Sequence, residues 1–180
     1  MEVLSIQPTP NPNAFKFVVD QTLQAEGSRY YNTASEAASD PLATALFAIP
    51  GVDTVYFSQD FATVTSAEGG NQETMHSQIR EVLQTHESGG GTAIATNTAE
   101  TVTDDPELLK NIDALLEDRV RPALAGDGGG LQLMRLENKT LTIRYEGACG
   151  SCPSSIAGAL TAIQNLLQVE VDEELTVVSG

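Results

Sequence analysis

Cys149 and Cys152 are the only cysteines in this 180-residue chain, three apart in the stretch GACGSCPSSIAGAL, residues 147–160. Thiolates at this spacing serve disulfide exchange, structural zinc and iron–sulfur ligation. Their surroundings favour reactivity. Pro153 suits the first position of a helix, which puts Cys152 at or near the N-cap, where unpaired backbone N–H groups and the positive end of the helix dipole stabilise a thiolate. Gly147 and Gly150 leave backbone uncovered, so that a cofactor or a partner can come close to the main chain. Two cysteines are too few for a disulfide framework, and in a reducing compartment the pair reads as metal-binding or redox-active.

The ligand count narrows the chemistry further. Structural zinc and the common iron–sulfur clusters take four ligands, and one chain offers two. His76 and His86 do not make up the deficit: ten residues apart and in the other half of the chain, they read as exposed helix residues. The missing ligands then come from a second copy, a two-fold axis bringing four sulfurs from two identical loops, or the positions stay open. Sulfur-only ligation selects zinc or iron–sulfur without choosing between them. Thioredoxin-like exchange shares the local context, but only 28 residues follow Cys152, room for one helix and one strand, fewer elements than that fold requires.

The cysteines need a strand before them and a helix after them, and the sequence provides both. Leu131, Leu133 and Met134 begin a strand, Glu137-Asn138-Lys139 turns it, and Leu141, Ile143 and Tyr145 alternate along a return strand that delivers the chain to Cys149. Beyond Pro153, Ile156, Leu160, Ile163 and Leu167 recur on one helical face, and Val169 to Val178 reads as a last strand. Ahead of the hairpin, Leu108, Leu109, Ile112, Leu115, Leu116 and Val120 form the stripe of a helix that Pro122 and GDGGG should end. The second half therefore reads α-β-β-α-β.

The first half reads β-β-α-β-β-α. A strand over Ala14–Val19 follows QPTPNPN, whose prolines exclude a helix. Asp40-Pro41 supplies an N-cap and first helical residue for a helix carrying Leu42, Ala45, Leu46 and Ile49, stopped by Pro50-Gly51. Val52, Val55 and Phe57, then Phe61 and Val64, flank Ser58-Gln59-Asp60 as a hairpin with a three-residue connection, and Met75, Ile79, Val82 and Leu83 give a closing helix. Asn11-Pro12-Asn13, Phe47 and Tyr56-Phe57 read as turn and core residues. Between the halves, ESGGGTAIATNTAETVTDD, residues 87–105, holds three consecutive glycines and no aromatic or basic residue, the composition of a flexible linker. The expected fold is α+β: two small α/β layer domains, 1–87 and 107–180, joined by a linker over 88–106.

Composition sets the outer limits. A net charge of −16 opposes nucleic acid and anionic lipid, no apolar run approaches the roughly 20 residues of a membrane span, and the N-terminus lacks signal-peptide character. A soluble, cytoplasmic protein is expected, with neither nucleic-acid nor membrane partners.

The run RPALAGDGGGLQL followed by LTIRYEGACGSCPSS resembles the C-terminal domain of NifU, that of the Nfu-type iron–sulfur cluster scaffold and carrier proteins, whose pattern is an RP-x-L-x-x-DGG loop, a hairpin and GAC-x-x-CP-x-S. PTPNPNAFKF and DPLATALFAIPGVDTVYFSQDFATVTS resemble the companion Nfu N-terminal domain, and together the matches take in nearly everything outside the linker. The resemblance implies that Cys149 and Cys152 carry a 4Fe–4S cluster shared between two protomers. It implies a cluster-dependent homodimer, fed by upstream cluster assembly machinery, that hands the cluster to apo iron–sulfur proteins. Such a protein is a carrier and not an enzyme; a thiol–disulfide oxidoreductase and a zinc-bridged interaction module are the alternatives. Two departures stand out: where the family commonly has DGGD this chain has Asp127-Gly128-Gly129-Gly130, and the helix after the cysteines contains no lysine. Asp127 to Gly130 reads as a helix stop and tight turn, with direct shaping of the cluster site as the other reading.

Overall fold

A computed structural model describes residues 1–67, 72–86, 101–148 and 153–180; at Glu26 and 153–157 it describes the backbone alone. The chain divides into two compact units, Met1–Asn97 and Thr98–Gly180. Both are α+β, each with its own sheet.

In the first unit β1 (Val3–Pro8), β2 (Ala14–Val19), β3 (Gln24–Tyr31), β4 (Val52–Gln59) and β5 (Phe61–Ser66) form an antiparallel sheet in the order β1-β2-β5-β4-β3. Helices α1 (Pro41–Phe47) and α2 (Gln72–Thr85) pack on the sheet, because alternate strand residues Phe17, Val19, Val55, Phe57, Ala62 and Val64 meet Leu46, Ile49, Met75, Ile79 and Leu83 in one buried core. Asp40 caps α1 as the Asp-Pro pair predicts: its Oδ1 accepts from the N–H groups of Leu42 (3.1 Å) and Ala43 (3.2 Å). Its Oδ2 accepts from Arg29 Nη1 at 2.5 Å and from the Tyr31 hydroxyl at 3.0 Å, so one carboxylate ties β3 to the start of α1. Burial first, then the Asp40 charge, pushes the Tyr31 phenol up to about 12.

Three differences from the sequence reading have local causes. Three strands precede α1, not two, because β1 and β3 carry little alternation: β1 is an edge strand with Leu4 62% exposed, and β3 is broken by a register shift between Gln24 and Ser28, with Gly27 at φ +71°. The β4–β5 connection is tighter than three residues, since Ser58 pairs with Phe61 and Gln59 turns at φ +47°. Neither histidine is exposed. His76 is half-buried, its ring edge-on to Phe15 at 4.2 Å and Phe17 at 5.7 Å, and this desolvation lowers its pKa; His86, just past α2, is half-buried as well.

In the second unit the sheet runs β6-β7-β8-β9, from β6 (Val102–Thr103), β7 (Gly129–Glu137), β8 (Thr140–Gly147) and β9 (Thr176–Ser179). β7 and β8 are the expected hairpin; Asn138 (φ +49°) and Lys139 (φ +57°) make its two-residue turn, the left-handed pair that matches strand twist. Helices α3 (Pro106–Arg119), α4 (Arg121–Gly126) and α5 (Pro153–Glu170) complete the unit. Ile112, Leu116 and Leu124 join Ile163 and Leu167 over Leu131, Leu133, Leu136, Leu141, Ile143 and Tyr145.

Here too the structure corrects details. Pro122 does not end the helical run; the chain breaks at Val120 and resumes as α4, with the proline in its first turn, where a missing N–H costs nothing. The last strand begins at Thr176 and not at Val169, which lies in α5 and is 82% exposed. Residues 102–103, inside the expected linker, pair in parallel with Arg135 and Leu136. Thr101 Oγ1 also donates to the Leu133 carbonyl at 2.9 Å, and the Asn138 N–H to Asp104 Oδ2 at 2.9 Å. These contacts use backbone and short polar side chains, so no apolar pattern announces them.

Candidate functional site

Cys149 and Cys152 lie in residues 149–152, outside the described residues, between β8 and α5. β8 runs to Gly147 and α5 starts at Pro153, so a strand leads into the four-residue stretch and a helix N-terminus leaves it. No acidic residue occupies the first turn of α5, the position from which one would offset the positive end of the dipole.

The glycine run at α4's exit meets the end of β8. Asp127 and Gly128 close α4, their N–H groups donating to the carbonyls of Ala123 (3.2 Å) and Ala125 (3.1 Å). Gly128, at φ +75°, then turns the chain into β7, and its carbonyl accepts from the N–H of Ala148 at 3.2 Å. Gly129 pairs with Gly147, itself at φ +64°, and Gly130 pairs with Glu146. A positive φ is a conformation that residues with a Cβ adopt at a cost, so two separate glycines are needed for this join. Asp127 to Gly130 therefore stops a helix and also joins the start of β7 to the end of β8 at Glu146, Gly147 and Ala148, the residues that precede Cys149 in the chain. Ala148 is buried, and so is Glu146.

Among the described residues no group of three or more His, Cys, Asp and Glu side chains comes together as a metal site. His76 and His86 belong to the first unit, and His76 is taken up in packing against two phenylalanines. Cys149 and Cys152, the chain's two thiols, are the side chains whose type suits a soft metal or a cluster. The β7–β8 pairing places the buried Glu146 opposite Gly130, a relation that neither strand shows alone. Asn11 proves to be a turn residue, its Oδ1 accepting from the Asn13 N–H at 3.0 Å, and Phe47 and Phe57 pack in or against the first core. Tyr56 is buried too, its ring tilted edge-on toward Tyr30 at 6.3 Å. Among the described residues, no helix is long and apolar enough to cross a membrane.

Comparison with known proteins matches the chain in two parts. Residues 4–90 fit the family described as scaffold protein Nfu/NifU N terminal, and residues 112–178 fit the NifU-like domain. Among curated proteins, the "NFU1 iron-sulfur cluster scaffold homolog, mitochondrial" of Drosophila virilis is 34% identical over 175 residues, 94% of this chain and 59% of that protein. Its Drosophila erecta counterpart is 33% identical, over 94% of this chain and 62% of that one. The chain thus spans about three-fifths of the length of these relatives. Among solved structures, the NifU-like protein from Saccharomyces cerevisiae covers 46% of this chain and 77% of its own at 25% identity and a TM-score of 0.39. Protein SAV1430 from Staphylococcus aureus covers 46% and 99% at 25% identity and a TM-score of 0.40. With both parts matched in order, the chain belongs to the Nfu/NifU family, an Nfu N-terminal domain followed by a NifU-like domain.

Proposed function

We propose that the protein is an iron–sulfur cluster scaffold and carrier, in which Cys149 and Cys152 of two chains hold one 4Fe–4S cluster and release it to apo-proteins. The observation that carries this reading is a pair of cysteines placed by the chain between β8 and α5, a strand end and a helix start, in a chain of the Nfu/NifU family. Two ligands per chain suit a carrier. Thiolates held at a strand-to-helix junction exchange one at a time with those of an acceptor, whereas four ligands from one chain would have to be stripped together. No substrate is converted, so the protein acts as a carrier and not as an enzyme. The recipients are apo iron–sulfur proteins and the suppliers are the machinery that builds clusters; of the linker expected over 88–106, residues 101–106 go with the second domain.

Anaerobic reconstitution with iron and sulfide, followed by visible absorption and metal analysis, tests the reading. Uptake of iron and sulfide in equal amounts is expected. Zinc held against excess iron and sulfide would point to an interaction module, and reduction of a protein disulfide by the metal-free form would point to an oxidoreductase. The cytoplasm is the proposed location, and the fly relatives are named mitochondrial; cell fractionation distinguishes the two.

A further inference from the structure

We propose that the outward face of α5 is the surface on which a second copy of this chain sits when two chains share a cluster. The proposal rests on the iron–sulfur reading above and names the face through which the two copies meet.

α5 carries its core stripe on one side, where Ile163 and Leu167 are buried and Leu160 packs against that core. On the opposite side stand Gly158, Thr161, Ala162, Asn165 and Val169, all exposed, with the half-buried Leu166 at their border. Gly158, Ala162 and Leu166 follow one another at four-residue steps and Val169 comes three later, the kind of row that forms a ridge on one helix and seats in the groove of another. From Pro153 to Val169 the helix has no charged residue. A surface helix normally turns charged side chains outward, as α3 does with Glu107, Lys110, Asp113 and Glu117. In a chain of net charge −16, an uncharged helix with apolar positions on both sides marks a face that something covers.

Gly158 points to a close approach from outside. Glycine inside a helix costs stability relative to alanine, and nothing in this chain asks for one: among the described residues, no atom outside its own stretch of helix lies within 4 Å of a Cβ placed there. A second copy is the occupant that the charges favour. Each copy carries −16, and α5 offers a face on which two such chains can touch without bringing acids together. Position in the chain favours it as well. α5 begins directly after residue 152, so two chains that share a cluster through Cys149 and Cys152 bring their α5 starts close about one two-fold axis, with Gly158 on the second turn of each. A two-fold sets the same ridge against itself. Six positions fall far short of the roughly 800 Å² per partner of a stable interface, so the ridge does not hold metal-free chains together and comes into contact once the cluster has joined them.

The test uses the full chain, reconstituted anaerobically with iron and sulfide, at physiological salt. Sedimentation velocity over a dilution series gives the fraction of dimer, iron is counted per chain, and the melting temperature of the metal-free protein serves as control. Ala162→Glu and Ala162→Lys each set two like charges face to face across the axis and should raise the concentration at which half the loaded dimer is lost by at least roughly tenfold, with metal-free melting unchanged. Gln84→Glu adds a charge at an exposed position of α2 and should match the wild type. Gly158→Ala should raise the metal-free melting temperature and weaken the loaded dimer. Either charge variant dimerising like the wild type overturns the proposal, as does a Gln84→Glu dimer weakened as much as theirs. A metal-free melting temperature that falls in both charge variants overturns it too, because the chain would then cover the face itself. An Ala162→Glu dimer as tight as wild type that no longer passes its cluster to an apo four-iron ferredoxin would assign the face to recipients instead. A wild-type protein that takes up no iron and sulfide sinks the iron–sulfur reading and this inference together, whereas a loaded wild-type dimer beside unaffected variants sinks only the inference.

Discussion

The account depends on two sulfur atoms. Cys149→Ser or Cys152→Ser is expected to abolish iron and sulfide uptake and leave the melting curve nearly unchanged, since each exchange replaces one sulfur by oxygen in the short connection between β8 and α5. The loss at position 152, next to the helix start, should be at most roughly 1 kcal/mol. Iron and sulfide analysis beside thermal melting checks both halves. Full iron and sulfide in Cys149→Ser would contradict the assignment. A second residue-scale expectation concerns Tyr31, whose phenol is raised from about 10 to about 12 by burial and by Asp40. Below pH 10 the folded and unfolded chains both keep this proton. Between 10 and 12 only the unfolded chain gives it up, so stability falls as pH rises through that window and levels off above it. Denaturant midpoints across this range should show the fall in the wild type and a smaller one in Tyr31→Phe. The cysteines are proposed from their type and spacing alone, whereas Asp40 could be read directly because Asp-Pro is a local capping signal. The pairing of Glu146 with Gly130 could not, because register is a property of two strands at once.

At the scale of elements, strong periodicity predicted well and backbone-driven structure did not. α2, α3 and α5 were legible from their apolar stripes and β8 from Leu141, Ile143 and Tyr145, all of which lie in the cores. β6 was not, since Val102 is 50% exposed and the strand is held by ladder bonds to β7. Its neighbours add more: Asp105 caps α3, Oδ1 accepting from the Leu108 N–H at 3.0 Å. A fragment starting at residue 107 loses β6, this cap and the contacts of Thr101 and Asp104, while one starting at 98 keeps them. The shorter fragment should be less stable by at least about 1 kcal/mol, the usual worth of such a cap alone. Equal denaturation midpoints for the two would show that residues 98–106 contribute nothing to the second unit.

For the whole molecule, charge and ligand count together determine assembly. Two chains of charge −16 repel, more strongly at low salt, so metal-free protein should run mainly as a monomer. A cluster that needs four thiolates and finds two per chain supplies the missing attraction, and association should follow cluster content. Sequence could foresee this only as arithmetic on ligands, because the surface that one loop presents to another is not encoded in any local pattern. Analytical ultracentrifugation of metal-free and reconstituted full-length protein, with iron counted per chain, tests the central claim most directly. The account predicts a metal-free monomer and a loaded dimer carrying about two irons per chain, the content of one four-iron cluster shared by two chains. A loaded monomer with a complete four-iron cluster would contradict it.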